Sequence, residues 1–127
     1  MDAKNVVLAF WKSMESNDFS AASQWLADDY EAIWPLSSER IVGCDNFIAI
    51  NTEYPANGHW HFKINRIVCE GNQVVTDITV TDGTRTDTAV TFHTIENNKI
   101  TRQVEYWPEN YEAPAWRKKW TETLEQK

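Results

Sequence analysis

At 127 residues and 42% apolar side chains, the chain is long enough to bury a core and too apolar for disorder by composition. Its formal charge of −7, from 12 basic and 19 acidic groups, repels phosphate backbones and anionic lipid, which argues against nucleic-acid and membrane-surface roles. Seven tryptophans from Trp11 to Trp120 point instead to concave surfaces or subunit contacts, since an indole needs apolar cover and a partner for its N–H.

Two cysteines, Cys44 and Cys69, make neither a disulfide framework nor a metal-type spacing. With no signal-like start and no apolar run near 18 residues, the expectation is one domain over residues 1–127, cytoplasmic, with reduced thiols.

Val7, Phe10, Trp11 and Met14 share one helical face, and Asp2 can cap that helix. Ser16-Asn17-Asp18 breaks it, and Ala22, Trp25 and Leu26 mark a short second helix. Tyr30 to Trp34 and Arg40 to Val42 form a hairpin around the turn at Pro35 to Ser38. Gly43 and Asp45 open a third helix, with Asp45 as candidate cap and Phe47, Ile50 and Tyr54 on one side; Pro55 stops it. Four strand segments follow, Trp60 to Val68, Gln73 to Thr81, Thr86 to Ile95 and Lys99 to Trp107, joined by short turns. Pro114 fits the first position of a last helix bearing Trp116, Trp120 and Leu124. The predicted fold is α+β. A curved antiparallel sheet wraps three N-terminal helices into a cone with an open mouth, and a C-terminal helix follows.

In this order the elements resemble the nuclear transport factor 2-like superfamily, in its SnoaL-like (polyketide cyclase-like) branch, over nearly the whole length. The resemblance rests on Leu26-Ala27-Asp28-Asp29-Tyr30, on Ile41-Val42-Gly43 before the third helix, and on Asn98-Lys99-Ile100 running to Glu105-Tyr106-Trp107. The stretches Trp34 to Arg40, Asn51 to Pro55, Glu105 to Pro108 and Tyr111 to Pro114 are similar to a largely uncharacterised bacterial subgroup. The superfamily spans isomerases, cyclases, epoxide hydrolases, dehydratases and non-catalytic binding or dimerisation modules, so the fold does not choose the chemistry. The resemblance implies a conical cavity for a small hydrophobic molecule and acid/base chemistry without metal or cofactor. It also implies a homodimer formed through the sheet's outer face, with Ile100, Val104, Tyr106 and the Trp116/Trp120/Leu124 stripe in need of cover.

Glu105 is the leading catalytic candidate, or else a residue that faces solvent near the rim or pairs with a basic side chain. Alternation along the last strand groups Thr101, Gln103, Glu105 and Trp107 against Ile100, Arg102, Val104 and Tyr106. In epoxide-hydrolase-like relatives the position matching Glu105 carries a pocket carboxylate. SnoaL-like cyclases carry an aspartate three positions further on, where this chain has Pro108, so their chemistry does not transfer directly. Asp77 stands mid-strand, either facing the cavity as a partner acid for Glu105 or facing outward on Thr79 or a cross-strand arginine. The arginine those hydrolases place two positions before their first acid is Val75 here. His93, on an apolar strand, is a candidate base or a satisfied core histidine. His59 and His61 read as solvent-exposed, and with no carboxylate at metal-type spacing along the chain no metal is expected. Trp34, Tyr54, Trp60 and Trp107 are expected as ligand-binding walls, with Tyr30 and Tyr54 as phenolic donors, or as plain core.

Overall fold

The computed structural model describes residues 1–124. Helix α1 spans Ala3–Glu15, and the Asp2 carboxylate accepts the Asn5 N–H at 2.8 Å to satisfy its first turn. Its apolar face, Val6, Val7, Phe10, Trp11 and Met14, is buried. Asn17, at φ 63°, ends it in the left-handed region that asparagine tolerates. Helix α2 is one turn, Phe19–Ala22, followed by a 3₁₀ turn at Ser23–Trp25. Leu26, expected to belong to the short second helix, instead begins strand β1, Leu26–Trp34, and enters the core from there.

Strand β2, Glu39–Val42, returns antiparallel to β1, as the hairpin pattern predicts. Helix α3 covers Cys44–Glu53. Its cap is Gly43 at φ 85°, a conformation that suits glycine, and Asp45 sits in the first turn rather than at the cap. The Gly43 N–H donates to the Tyr30 carbonyl at 2.9 Å, which ties α3 to β1. Strands β3 (His61–Glu70), β4 (Gln73–Thr81), β5 (Thr86–Glu96) and β6 (Lys99–Tyr106) make the expected antiparallel meander.

The strand order is β2-β1-β6-β5-β4-β3, so the last strand inserts beside the first and runs parallel to it. That pairing breaks the all-antiparallel expectation: a parallel pair needs a long crossover, and here the rest of the sheet supplies it. Register shifts at Ile64/Arg66 and at Thr94/Ile95 bend the sheet. Alternate residues of β4 and β5, including Val74, Ile78, Ala89 and Ile95, pack inward with α1 in the buried core. The sheet is curved but not closed.

After β6, the predicted final helix is only a 3₁₀ segment at Ala115–Trp120; residues 125–127 of the expected 1–127 unit lie outside the described residues. Trp116, Trp120 and Leu124 are 71%, 70% and 87% exposed. A 3₁₀ turn superposes residues three apart, so a stripe spaced by four does not form a face.

Candidate functional site

The curved sheet and the helices leave a cavity lined by α1, α3 and residues from all six strands. Phe10, Trp11, Phe47 and Phe62 line its interior. Trp34, Tyr54, Trp60, Trp107 and Tyr30, the five residues expected as walls, border it as well. Tyr54 and Trp60 meet edge to face at 6.1 Å. At the mouth, Trp34, Tyr54 and Trp107 continue outward to Leu36, Glu39, Arg85 and Glu109.

Glu105 faces this cavity from β6. Its Oε2 accepts the Thr91 hydroxyl at 2.6 Å and its Oε1 accepts the Trp107 indole N–H at 2.9 Å. Burial pushes its carboxyl above the ordinary glutamate range, opposed by the hydrogen bonds of Thr91, Trp107 and Trp34 to the charged form. Among the described residues, the cavity lining contains two acids, Glu105 and Asp87, and no lysine, arginine or histidine. Asp87 is paired with Arg85 at 2.5 Å, which leaves Glu105 without a cationic partner in the cavity.

Beneath the cavity runs a directional chain of hydrogen bonds. The Tyr30 hydroxyl donates to Gln103 Oε1 at 2.5 Å, and Gln103 Nε2 reaches His93 Nδ1 at 3.1 Å. With Nδ1 accepting, the Nε2–H of His93 donates to Thr76 Oγ1 at 2.9 Å, where the Trp11 indole N–H also arrives at 3.3 Å. Burial raises the Tyr30 phenol well above its ordinary value, and the nearby charge of Glu105 adds to the effect. Burial lowers His93 from 6.5 to about 3, so it is neutral at physiological pH.

Two catalytic expectations are corrected by this geometry. His93 is fully buried among Phe10 and Trp11 and does not border the cavity, so it positions Gln103 and Tyr30 rather than meeting a ligand. Asp77 lies on the convex face, where Arg66 donates to it at 3.0 and 2.7 Å and Asn65 at 3.5 Å; the Arg66 bond, first among the causes, lowers its carboxyl. It cannot pair with Glu105 across the sheet. Alternation groups Asp77 correctly with Val75 and Thr79, but not with the side that turned inward.

Ile100, expected on the outer face, is fully buried. Ile95 pairs with Ile100 and Thr94 with Arg102, so the extra residue Thr101 turns Ile100 inward while Gln103 and Glu105 keep the cavity face. Gln103 and Asp87 were missed as site residues. For Gln103 the signal existed, since it shares the alternation of Glu105 and Trp107; Asp87 stands beside a turn and gave none.

The SnoaL-like domain model matches residues 7–103. The chain belongs to the SnoaL-like family of the nuclear transport factor 2-like superfamily. A Kribbella flavida protein provisionally named a ketosteroid isomerase superposes with a TM-score of 0.88 at 24% identity, covering 98% of this chain and 90% of that one. An NTF-2-like protein of unknown function from Burkholderia xenovorans gives 0.79 at 28% identity, over 97% and 95%. An LEH-like epoxide hydrolase from M. tuberculosis gives 0.68 at 22% identity, over 84% and 82%. No curated protein matches the sequence.

Proposed function

We propose that the protein binds a small hydrophobic molecule in the aromatic cavity and moves a proton on it with Glu105, as a cofactor-independent isomerase, cyclase or dehydratase acting on a carbonyl or polycyclic compound. The observation that carries this reading is the carboxylate of Glu105, the acid of the cavity lining without a cationic partner, held by neutral donors in an apolar surround. Burial raises the proton affinity of a base so placed, which favours proton exchange with a bound molecule. The aromatic walls supply flat apolar contact, and Tyr30, fixed by Gln103, sets one side of the site.

A second reading, a non-catalytic binding module of the same fold, is favoured by one observation: Asp77 faces away, so the expected Asp77–Glu105 acid pair does not form. Tryptophan-emission titration with a β,γ-unsaturated cyclic ketone, followed by absorbance of its conjugated isomer, separates the two. The enzyme reading expects turnover that falls more than about 100-fold in Glu105→Gln with binding retained. Binding without turnover in the unmodified protein selects the module, and turnover untouched by Glu105→Gln contradicts the role given to that residue.

The same reading includes a homodimer through the convex sheet face. Val68 and Phe92 are 64% and 44% exposed there, and Phe92 stacks edge to face on Tyr106 at 6.2 Å. Light scattering at micromolar concentration should give twice the chain mass of 14.8 kDa; the single-chain mass contradicts the dimer. Free Cys44 and Cys69 support a reducing, cytoplasmic setting.

A further inference from the structure

Beside Trp60, the end of α1 meets the start of β3. Glu15, the last residue of α1, directs its carboxylate between His59 and His61. Along the chain no carboxylate stands near these histidines; the fold brings one from 44 residues away. Glu15 Oε1 accepts the Phe62 N–H at 3.3 Å, which fixes the carboxylate and turns Oε2 toward the imidazoles. Oε2 lies 3.2 Å from His61 Nδ1 and 3.9 Å from His59 Nε2, and the two rings are 5.0 Å apart. The ligand atoms of all three residues lie within 4.8 Å of one another.

The condition of Oε2 is the second observation. It is shielded from solvent and has no hydrogen-bond partner, although the residue that carries it is at the surface. A carboxylate oxygen shut off from water is costly unless something positive meets it. Asn17 stiffens the frame around it: its Oδ1 accepts the Trp60 N–H and its Nδ2 donates to the Trp60 carbonyl, both at 2.8 Å.

We propose that Glu15, His59 and His61 form a binding site for a divalent transition metal of the zinc class, with a fourth position open to water. Two imidazoles and one carboxylate are a donor set that suits zinc, copper or nickel, whereas magnesium and calcium require a shell of oxygens. In a tetrahedral zinc site with bonds of about 2.0–2.2 Å, neighbouring ligand atoms stand about 3.3 Å apart. The Glu15–His61 separation already meets that spacing, and the Glu15–His59 separation must close by about half an ångström. In closing, His59 Nε2 exchanges its 2.9 Å contact with the Glu15 carbonyl and its 3.2 Å contact with Asn17 Nδ2 for the ion. Both rings are more than half exposed, which leaves the open position in solvent, and the negative net charge of the chain favours a cation. The ion would staple α1 to the segment carrying Trp60, and so steady one wall of the cavity without entering it.

Calorimetric titration of the full chain with zinc chloride tests this, in a C44S/C69S background that removes the free thiols. One equivalent should bind, undisturbed by a hundredfold excess of magnesium, and H61A and E15Q should each lower the affinity by more than about tenfold. Zinc should also raise the melting temperature of the parent and leave that of H59A/H61A unchanged. This second measurement uses exposed positions and stands even where E15Q loosens the end of α1. The proposal is overturned by the absence of zinc binding in the parent, or by the same stoichiometry and affinity in H59A/H61A. Neither result bears on Glu105.

Discussion

Glu105 and Asp77 are carboxylates of one sheet, and their surroundings push them in opposite directions. Asp77, on the convex face, is clasped by an arginine and an asparagine and held below the ordinary aspartate range. Glu105, on the concave face, is bound by a hydroxyl and an indole, meets no cation, and is pushed up by burial. A charge that already has its counter-ion is a structural fixture; a buried one without it has an unmet demand that a proton or a ligand can satisfy. The strand pattern is alike for both. The face decides the role.

The largest effect expected from disturbing the concave side comes from Gln103→Leu. It would orphan both the Tyr30 hydroxyl and His93 Nδ1 in the core, at about 1–3 kcal/mol each. Urea unfolding should therefore show a loss of more than about 2 kcal/mol. Stability equal to the parent would mean that the chain from Tyr30 to Thr76 holds nothing in place.

Glu105→Gln sharpens the contrast through pH. Because folding raises this carboxyl, its contribution to stability is present below its ordinary value of 4.5 and fades as pH rises through the folded value. The stability of the parent relative to the variant should fall across that interval, as measured by thermal melts at a series of pH values. A flat difference would place the carboxyl in water. Thr91→Val, which removes a donor from the charged form, should raise the Glu105 carboxyl further and widen the interval; a downward shift would contradict the bond.

Asp77→Asn should cost the least, under about 1 kcal/mol, because Arg66 is largely exposed. Its pH dependence has the opposite sign: the stabilisation by Asp77 is present above its ordinary value of 3.8 and is lost as pH falls through the lowered folded value. A loss of several kcal/mol, or any loss of ligand binding, would return Asp77 to the site.

Much of the fold that carries the two carboxylates was legible in the sequence, but not the contrast between them. Helix α1, the hairpin and the four long strands follow from periodicity and turn residues, and alternation places Gln103, Glu105 and Trp107 on one face. What period-two reasoning lacks is an origin. It pairs Asp77 with Val75 and Thr79 without saying which side the helices cover, and it has no means of placing the bulge at Thr101 that turns Ile100 inward. The parallel contact between β1 and β6 lies beyond local patterning, since it joins residues about 70 positions apart. The final helix fails for the opposite reason. Local spacing favours it, but Trp116, Trp120 and Leu124 stay exposed, so no tertiary packing supports a helix there. The Glu15, His59 and His61 cluster is likewise a product of the fold, assembled from two places in the chain.

The central claim is that Glu105 is a cation-free carboxylate facing a cavity that takes a small molecule. Carbon-detected NMR titration of the glutamate side chains tests it most directly. The expected result is a Glu105 carboxyl titrating above the ordinary glutamate value and moving when a hydrophobic ketone is added. A carboxyl titrating at or below 4.5, indifferent to the ketone, would contradict the account.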